Sequence, residues 1–311
     1  MESIYLDDDL TAIRDQTRRF VNEEVRPHGE QWEEDGVVPR RVLRKMGDIG
    51  FFGLRVPEEH GGVGLGALAS AVFAEEVGRS TFGGFGATVL VHTDMASPHL
   101  RHAGSPRQIA RYMPGILSGE TITAIAVTEP DAGSDVAAIR TRAVRDGDGW
   151  RINGSKIFIT NGVHGDVLFV AAKTDPDAGS AGISMFIVEK GTPGFEVSRP
   201  LRKYGWRCSD TGELAFDDCW IPAENLLGEV NAGFYSIMKN FQNERLALAA
   251  QAMGEAQEAV RLTLEYTQQR HAFGNPLFEL GGIRQRMAML QAKVEAGRHL
   301  VYHTAWEMEQ G

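Results

Sequence analysis

Apolar and polar positions recur with three successive periods along the 311 residues of the chain. From about Asp8 to Gly119 the period is helical. Leu10, Ile13, Thr17, Phe20, Val21 and Val25 form one stripe, and Pro27 lies just past its end. Further helices are predicted around 39–48, 67–77 and 105–117. From Ile122 to about Phe216 the period drops to two, and 141–144, 150–159, 167–172, 183–188 and 214–216 read as strands. Asp146-Gly147-Asp148-Gly149 and Asn161-Gly162 are the strongest turn signals between them. From Gly233 onward the helical period returns. Ile237, Phe241, Leu248, Ala252 and Ala259 share a face of one long helix, and Ile283, Met287, Leu290, Val294 and Val301 follow a near-heptad spacing on another. No long helical segments alternate with the strands, which argues against a doubly wound parallel sheet. The expected fold class is α+β: an N-terminal α-helical domain (1–120), a central β-barrel or sandwich (121–230) and a C-terminal helical bundle (231–311).

Composition narrows the function classes. Hydrophobic residues make up 42% and charged residues 24%, as in a soluble globular protein. A net charge of -10 leaves no basic surplus for nucleic-acid phosphates, so no nucleic-acid partner is expected. No apolar run reaches transmembrane length, and the acidic start, Met1 to Asp9, has the character of neither a secretory signal nor a transit peptide. Cys208 and Cys219 are the only cysteines, so no disulfide framework is implied and a cytoplasmic location is expected.

The stretch richest in chemistry is Val127-Thr128-Glu129-Pro130-Asp131-Ala132-Gly133-Ser134-Asp135, where the apolar run from Ile122 to Val127 breaks into a turn. Such a turn points backbone N–H groups and a hydroxyl outward, which suits a phosphate or an electron-poor ring edge. A second predicted strand ends in an aromatic and a hydroxyl at Phe158-Ile159-Thr160-Asn161-Gly162. Gly61-Gly62-Val63-Gly64-Leu65-Gly66 superficially suggests a dinucleotide loop, but no buried strand precedes it, so it reads as a plain connection. His92, His99 and His102 lack partners at a recognisable ligand spacing, and no metal site is expected. The two cysteines lack a CxxC arrangement, and Ser134 lacks the Gly-x-Ser-x-Gly elbow of a hydrolase.

Six pieces, in order, resemble the acyl-CoA dehydrogenase family over essentially the whole chain. They are Val56-Pro57-Glu58-Glu59-His60-Gly61-Gly62, the turn from Val127 to Asp135, Ile159-Thr160-Asn161-Gly162, Arg207-Cys208-Ser209-Asp210-Thr211, Asn225-Leu226-Leu227-Gly228 and Arg270-His271-Ala272-Phe273-Gly274. The resemblance implies non-covalently bound FAD. It assigns cofactor contacts to Val127, Thr128, Gly133, Ser134, Phe158, Thr160, Arg270 and Phe273, and substrate contacts to Ser134, Phe241 and Arg245. Fixed hydroxyl or amide donors beside a flavin would stabilise the electron density that builds at its N5 and pyrimidine edge.

The implied reaction is α,β-dehydrogenation of an acyl-CoA thioester to the trans-2-enoyl-CoA. It needs a base for the alpha proton, and a carboxylate lifted towards neutrality by burial suits that role. In long-chain and isovaleryl-type members this glutamate sits on the long helix after the β domain. Here that helix reads Asn240-Phe241-Gln242-Asn243-Glu244-Arg245-Leu246-Ala247-Leu248, so the resemblance assigns the catalytic role to Glu244 and leans towards long or branched acyl chains. The other reading of Glu244, a solvated helix residue paired with a nearby cation, stays open.

The resemblance further implies an electron-transfer flavoprotein as electron acceptor, a place in fatty-acid beta-oxidation, and a homotetramer or dimer of dimers. An acyl-CoA or nitroalkane oxidase or a monooxygenase built on the same pocket is the nearest alternative, and a non-catalytic flavoprotein subunit is another. Gly282 stands where the family commonly has a glutamine. Family members continue past the position of Gly311 through further helices, so the expectation is of a C-terminally truncated or abbreviated chain.

Overall fold

The computed structural model describes residues 4–310. Its helices are α1 (Asp8–Phe20), α2 (Gly29–Asp35), α3 (Arg40–Asp48), α4 (Ala67–Gly78), α5 (Gly83–Leu90), α6 (Ser97–Ala103), α7 (Pro106–Ser118), α8 (Gly233–Gln269) and α9 (Gly281–Gln310). The strands are β1 (Thr123–Ala126), β2 (Arg142–Asp146), β3 (Gly149–Thr160), β4 (Val167–Lys173), β5 (Ile183–Glu189), β6 (Phe195–Pro200), β7 (Thr211–Pro222), β8 (Leu226–Leu227), β9 (His271–Ala272) and β10 (Asn275–Pro276). This α+β order, helices then strands then helices, is the one read from the periodicity. By packing, the chain forms two compact units. One holds the residues up to Gly29, Gly66–Gly86 and those from Arg245 on; the other holds Glu30–Leu65 and Ala87–Glu244.

The second unit is built on an eight-stranded sheet of order β6-β7-β3-β2-β4-β5-β8, with β1 alongside β4. Between β2 and β4 the only paired residues are Arg142 and Lys173, so the sheet bends there into two layers. Alternate residues of β4 then face different cores. Leu168, Val170 and Ala172 join Ala124, Ala126, Trp150, Ile152, Ile159, Phe186, Leu214 and Phe216 between the layers. Val167, Phe169 and Ala171 face the other way, where Leu100 of α6, Met113 and Ile116 of α7 and Ile237 of α8 cover the sheet. The β domain is thus a sandwich rather than a closed barrel. Phe169 and Phe186 have no solvent contact, and burying each contributes about 2 kcal/mol.

The loop from Gly61 to Gly66 is a connection, as its context predicts. A short 3-10 turn, Glu58–His60, precedes it. Its amides are consumed locally: Val63 N donates to Gly53 O at 2.9 Å, Gly64 N to Val56 O at 2.8 Å and Leu65 N to Leu54 O at 2.8 Å. None of these three donors is left for a phosphate.

In the first unit every residue of α4 is buried. Its two carboxylates therefore need cations: Arg18 reaches Glu76 at 2.6 Å and Arg298 reaches Glu75 at 2.8 Å. A Cβ at Gly254 would overlap the Glu75 carbonyl, and one at Gly78 would overlap that of Gln251, so α4 and α8 cross at glycines.

Two histidines of the second unit are core residues. His92 Nε2 meets Ile116 O at 3.0 Å and Nδ1 meets Thr123 Oγ1 at 2.9 Å; His99 Nδ1 meets Ser236 Oγ at 3.0 Å. Burial pulls each imidazole down to about 4. A depressed histidine pKa leaves stability intact above the unfolded value near 6.5 and erodes it as the pH falls towards the folded value near 4. The loss saturates at roughly 3 kcal/mol per histidine. Urea unfolding followed from pH 7.5 to 4.5 should show stability falling below about pH 6.5. In His92→Asn that fall should be shallower, and an unchanged slope would contradict the assignment.

Candidate active site

The turn and the end of β3 are drawn together by a short set of bonds. Thr128 O accepts from Ile157 N at 2.9 Å, and Val127 O accepts from Lys156 Nζ at 3.0 Å. Lys156 has no solvent contact, and its ammonium also reaches Glu129 Oε1 at 2.7 Å. Glu129 in turn accepts from Arg140 N at 2.6 Å and Thr141 N at 3.0 Å. One buried ion pair therefore holds three segments: the root of the turn, the entry to β2, and β3. Burial pulls Lys156 down to about 8 against the attraction of Glu129. Burial also pushes the Glu129 carboxyl up, but Lys156, Thr141 and Arg140 outweigh it and hold the group below the usual carboxylate range. Near neutrality both partners are charged.

Beyond this anchor the chain opens outward. Reciprocal backbone bonds between Glu129 and Ala132 close the turn around Pro130 and Asp131. Gly133 and Ser134 follow, both exposed, and no atom lies within 4 Å of where a Cβ on Gly133 would stand. On β3 the pairing with β7 shifts register between Lys156 and Ile159. At that bulge Phe158 adopts φ +61 and is 65% exposed. A left-handed conformation in a bulky residue costs on the order of 1 kcal/mol or more, so an exposed aromatic held in it suggests a partner for its face. Thr160, half-buried, ends the strand opposite Thr211. Val127 and Thr128 thus meet β3 just before Phe158, and Thr160 follows two residues further along the strand.

Glu244 closes the second unit on α8. The segment Val91–Ala96 is a π-helical turn, which frees carbonyls from the ordinary ladder. Asn240 Nδ2 bonds Met95 O at 3.0 Å and Asn243 Nδ2 bonds Asp94 O at 2.9 Å, fixing the rotation of α8. Asn243 Oδ1 also accepts from Arg55. On the same face Asn240 Nδ2 donates to Glu244 Oε1 at 2.8 Å. Glu244 and Phe241 are half-buried, and Phe241 packs on the apolar cluster that contains Val127 and Ala132.

The remaining residues singled out from the sequence, Arg245, Arg270 and Phe273, lie in the first unit. Arg245 and Arg270 are exposed. Phe273 and Gly274, at φ +54 and +85, form the two-residue turn of the β9–β10 hairpin, and Phe273 is 95% exposed. Sequence reading passed over Lys156, Asn240 and Asn243. A signal for the lysine was present: it shares the inward parity of Trp150 and Ile152 on β3. The asparagines carry none, because their partners are carbonyls of a π-turn.

Comparison with known proteins bears on the whole of this architecture. The acyl-CoA dehydrogenase N-terminal, middle and C-terminal domain models match residues 7–120, 124–219 and 231–311. The mitochondrial isovaleryl-CoA dehydrogenase of Oryza sativa subsp. japonica is 37% identical over 311 residues, covering 99% of this chain and 76% of the relative. The acyl-CoA dehydrogenase of Geobacillus kaustophilus superposes with a TM-score of 0.93 at 40% identity, over 99% of this chain and 82% of that one. A glutaryl-CoA dehydrogenase from Mycobacterium smegmatis, solved in complex with FADH2, gives a TM-score of 0.90 at 31% identity, over 96% and 75%. With the three domain models aligned in order on the same sheet and helices that carry these side chains, the chain belongs to the acyl-CoA dehydrogenase family.

Proposed function

We propose that the chain is an FAD-dependent acyl-CoA dehydrogenase, with the flavin ring on the sheet end formed by Val127, Thr128, Phe158 and Thr160. The observation that carries this reading is the strained, exposed Phe158, which follows the residue that Thr128 meets through its backbone and lies two residues before Thr160. An isoalloxazine ring needs an apolar face to stack on and donors along one edge, and this sheet end supplies both. The open space at Gly133 and the exposed Ser134 hydroxyl suit a phosphate or ribityl chain passing over the turn. Bound flavin supplies the hydride acceptor of the reaction.

What this chain's own residues do is proton chemistry and positioning. Glu244 removes the alpha proton of the thioester through its carboxylate. Asn240, holding Oε1 at 2.8 Å, keeps that carboxylate in one orientation. Phe241 gives the substrate an apolar neighbour, Arg245 and Ser134 serve as polar contacts to CoA, and Arg270 and Phe273 serve a cofactor. In a homotetramer that last pair would reach the flavin of a neighbouring subunit. The two electrons released with the enoyl product would be held on the bound flavin and collected by an electron-transfer flavoprotein. Among the described residues no helix is long and apolar enough to cross a membrane.

Two substitutions test separate parts of the proposal. Glu244→Gln keeps shape and hydrogen bonding but cannot take a proton. It should retain bound FAD and slow anaerobic flavin reduction by about a hundredfold or more. Reduction at the wild-type rate would move the base elsewhere. Phe158→Ala removes an exposed side chain, so unfolding free energy of the apoprotein should change by less than about 0.5 kcal/mol. The Kd for FAD should nevertheless rise about tenfold. Unchanged FAD affinity would remove Phe158 from the cofactor site.

A further inference from the structure

A fully buried lysine is an expensive way to stabilise a sheet. Two apolar residues of similar volume often serve as well or better, and a lone buried ion pair is poor grounds for stability. The Lys156–Glu129 pair therefore calls for another use, and its bonds indicate one. Lys156 Nζ lies 3.0 Å from Val127 O and 2.7 Å from Glu129 Oε1, so it spans the residues on either side of Thr128. Thr128 itself is tied by its carbonyl to Ile157 N at 2.9 Å. Three consecutive residues of the turn are thus fastened to two consecutive residues of β3, immediately before Phe158.

Planarity gives this arrangement a direction. In a trans peptide the C=O and the following N–H point opposite ways. Val127 O is drawn inward to the ammonium, so Thr128 N–H points away from Lys156, outward from the strand. The ammonium also polarises that peptide, because hydrogen bonds in series strengthen one another. Glu129 keeps the lysine charged and in place, and it also accepts from Arg140 N and Thr141 N. A shorter or uncharged residue at 156 could not meet both Val127 O and Glu129 Oε1.

We propose that Lys156 and Glu129 are positioning residues for the cofactor: the pair fixes the spacing between Val127–Thr128 and Phe158–Thr160, and orients the Thr128 peptide as a polarised donor towards the bound ring. This rests on the reading of that sheet end as the flavin site. The pair touches neither cofactor nor substrate. It acts through the turn, and its effect falls on cofactor affinity and redox potential rather than on global stability.

Lys156→Met alone leaves Glu129 buried without its cation and is expected to fold poorly. The informative variant is Lys156→Met/Glu129→Gln, which neutralises both partners at nearly constant volume. Its apoprotein should melt close to wild type. Amides in 127–135 should exchange hydrogen at least about tenfold faster, while those of β4 and β5 stay protected. Loaded with FAD, it should show a Kd raised about tenfold or more and a lowered midpoint potential, because a donor to the electron-rich reduced ring has been lost. Wild-type exchange in 127–135 would overturn the positioning role, as would unchanged FAD affinity and potential in the folded double variant. The exchange measurement needs no cofactor. Loosening of 127–135 in a protein that takes up no FAD would support the anchoring of the turn and count against the flavin reading alone.

Discussion

The geometry of the candidate site depends on one ammonium group without access to water. Lys156 can exist at 0% exposure only because Glu129 and the Val127 carbonyl replace its hydration. Meeting that requirement fixes where the first turn leaves β1, where β2 begins and where β3 must bulge. The bulge then turns Phe158 out of the pleat into a backbone conformation that an aromatic residue does not choose by itself. Local strain at Phe158 is tolerated because the anchor two residues earlier over-determines the strand. Cost and constraint lie side by side, as expected where a surface is shaped for a ligand rather than for its own stability.

A second, independent device governs α8. A π-turn in Val91–Ala96 exposes backbone carbonyls, and Asn240 and Asn243 fill them. This adds a polar determinant of helix rotation to the apolar packing of Ile237 and Phe241, and it leaves the Asn240 amide in contact with Glu244. The sheet end and the helix therefore reach their orientations by different means. They share one apolar cluster, to which Val127 and Ala132 contribute from the turn and against which Phe241 packs from the helix. Repacking that cluster would disturb both at once, whereas loss of either polar device would disturb one.

Much of the fold was legible because each period had a single cause. Strand β3 alternates over much of its length, β4 and β5 are continuous apolar runs buried on both faces, and α7 announces its start through the Ser105–Gln108 capping box. What escaped detection lacked such a cause. Strand β6 lies at the sheet edge with mostly exposed residues, so its sequence Phe195–Pro200 shows no buried alternation. Helix α5 begins in Gly83-Gly84-Phe85-Gly86, a composition that reads as loop, yet a Cβ at Gly86 would crowd the Gln251 side chain. At the site, the turn residues and the strand end could be named from sequence, because Pro130, Gly133 and Asn161-Gly162 punctuate them. The forces that join these segments could not, because a buried lysine and amide-to-carbonyl bonds across helices leave almost no periodic trace.

Together these two devices would serve hydride and proton removal from a saturated acyl-CoA. Anaerobic titration of the purified, FAD-loaded chain with a panel of saturated acyl-CoA thioesters, followed by visible absorption, is the decisive experiment for that role. At least one thioester should bleach the flavin, with enoyl-CoA formed in equal amount and the colour restored by an electron-transfer flavoprotein. A protein that takes up no FAD, or a flavin spectrum unmoved by every thioester, would contradict it.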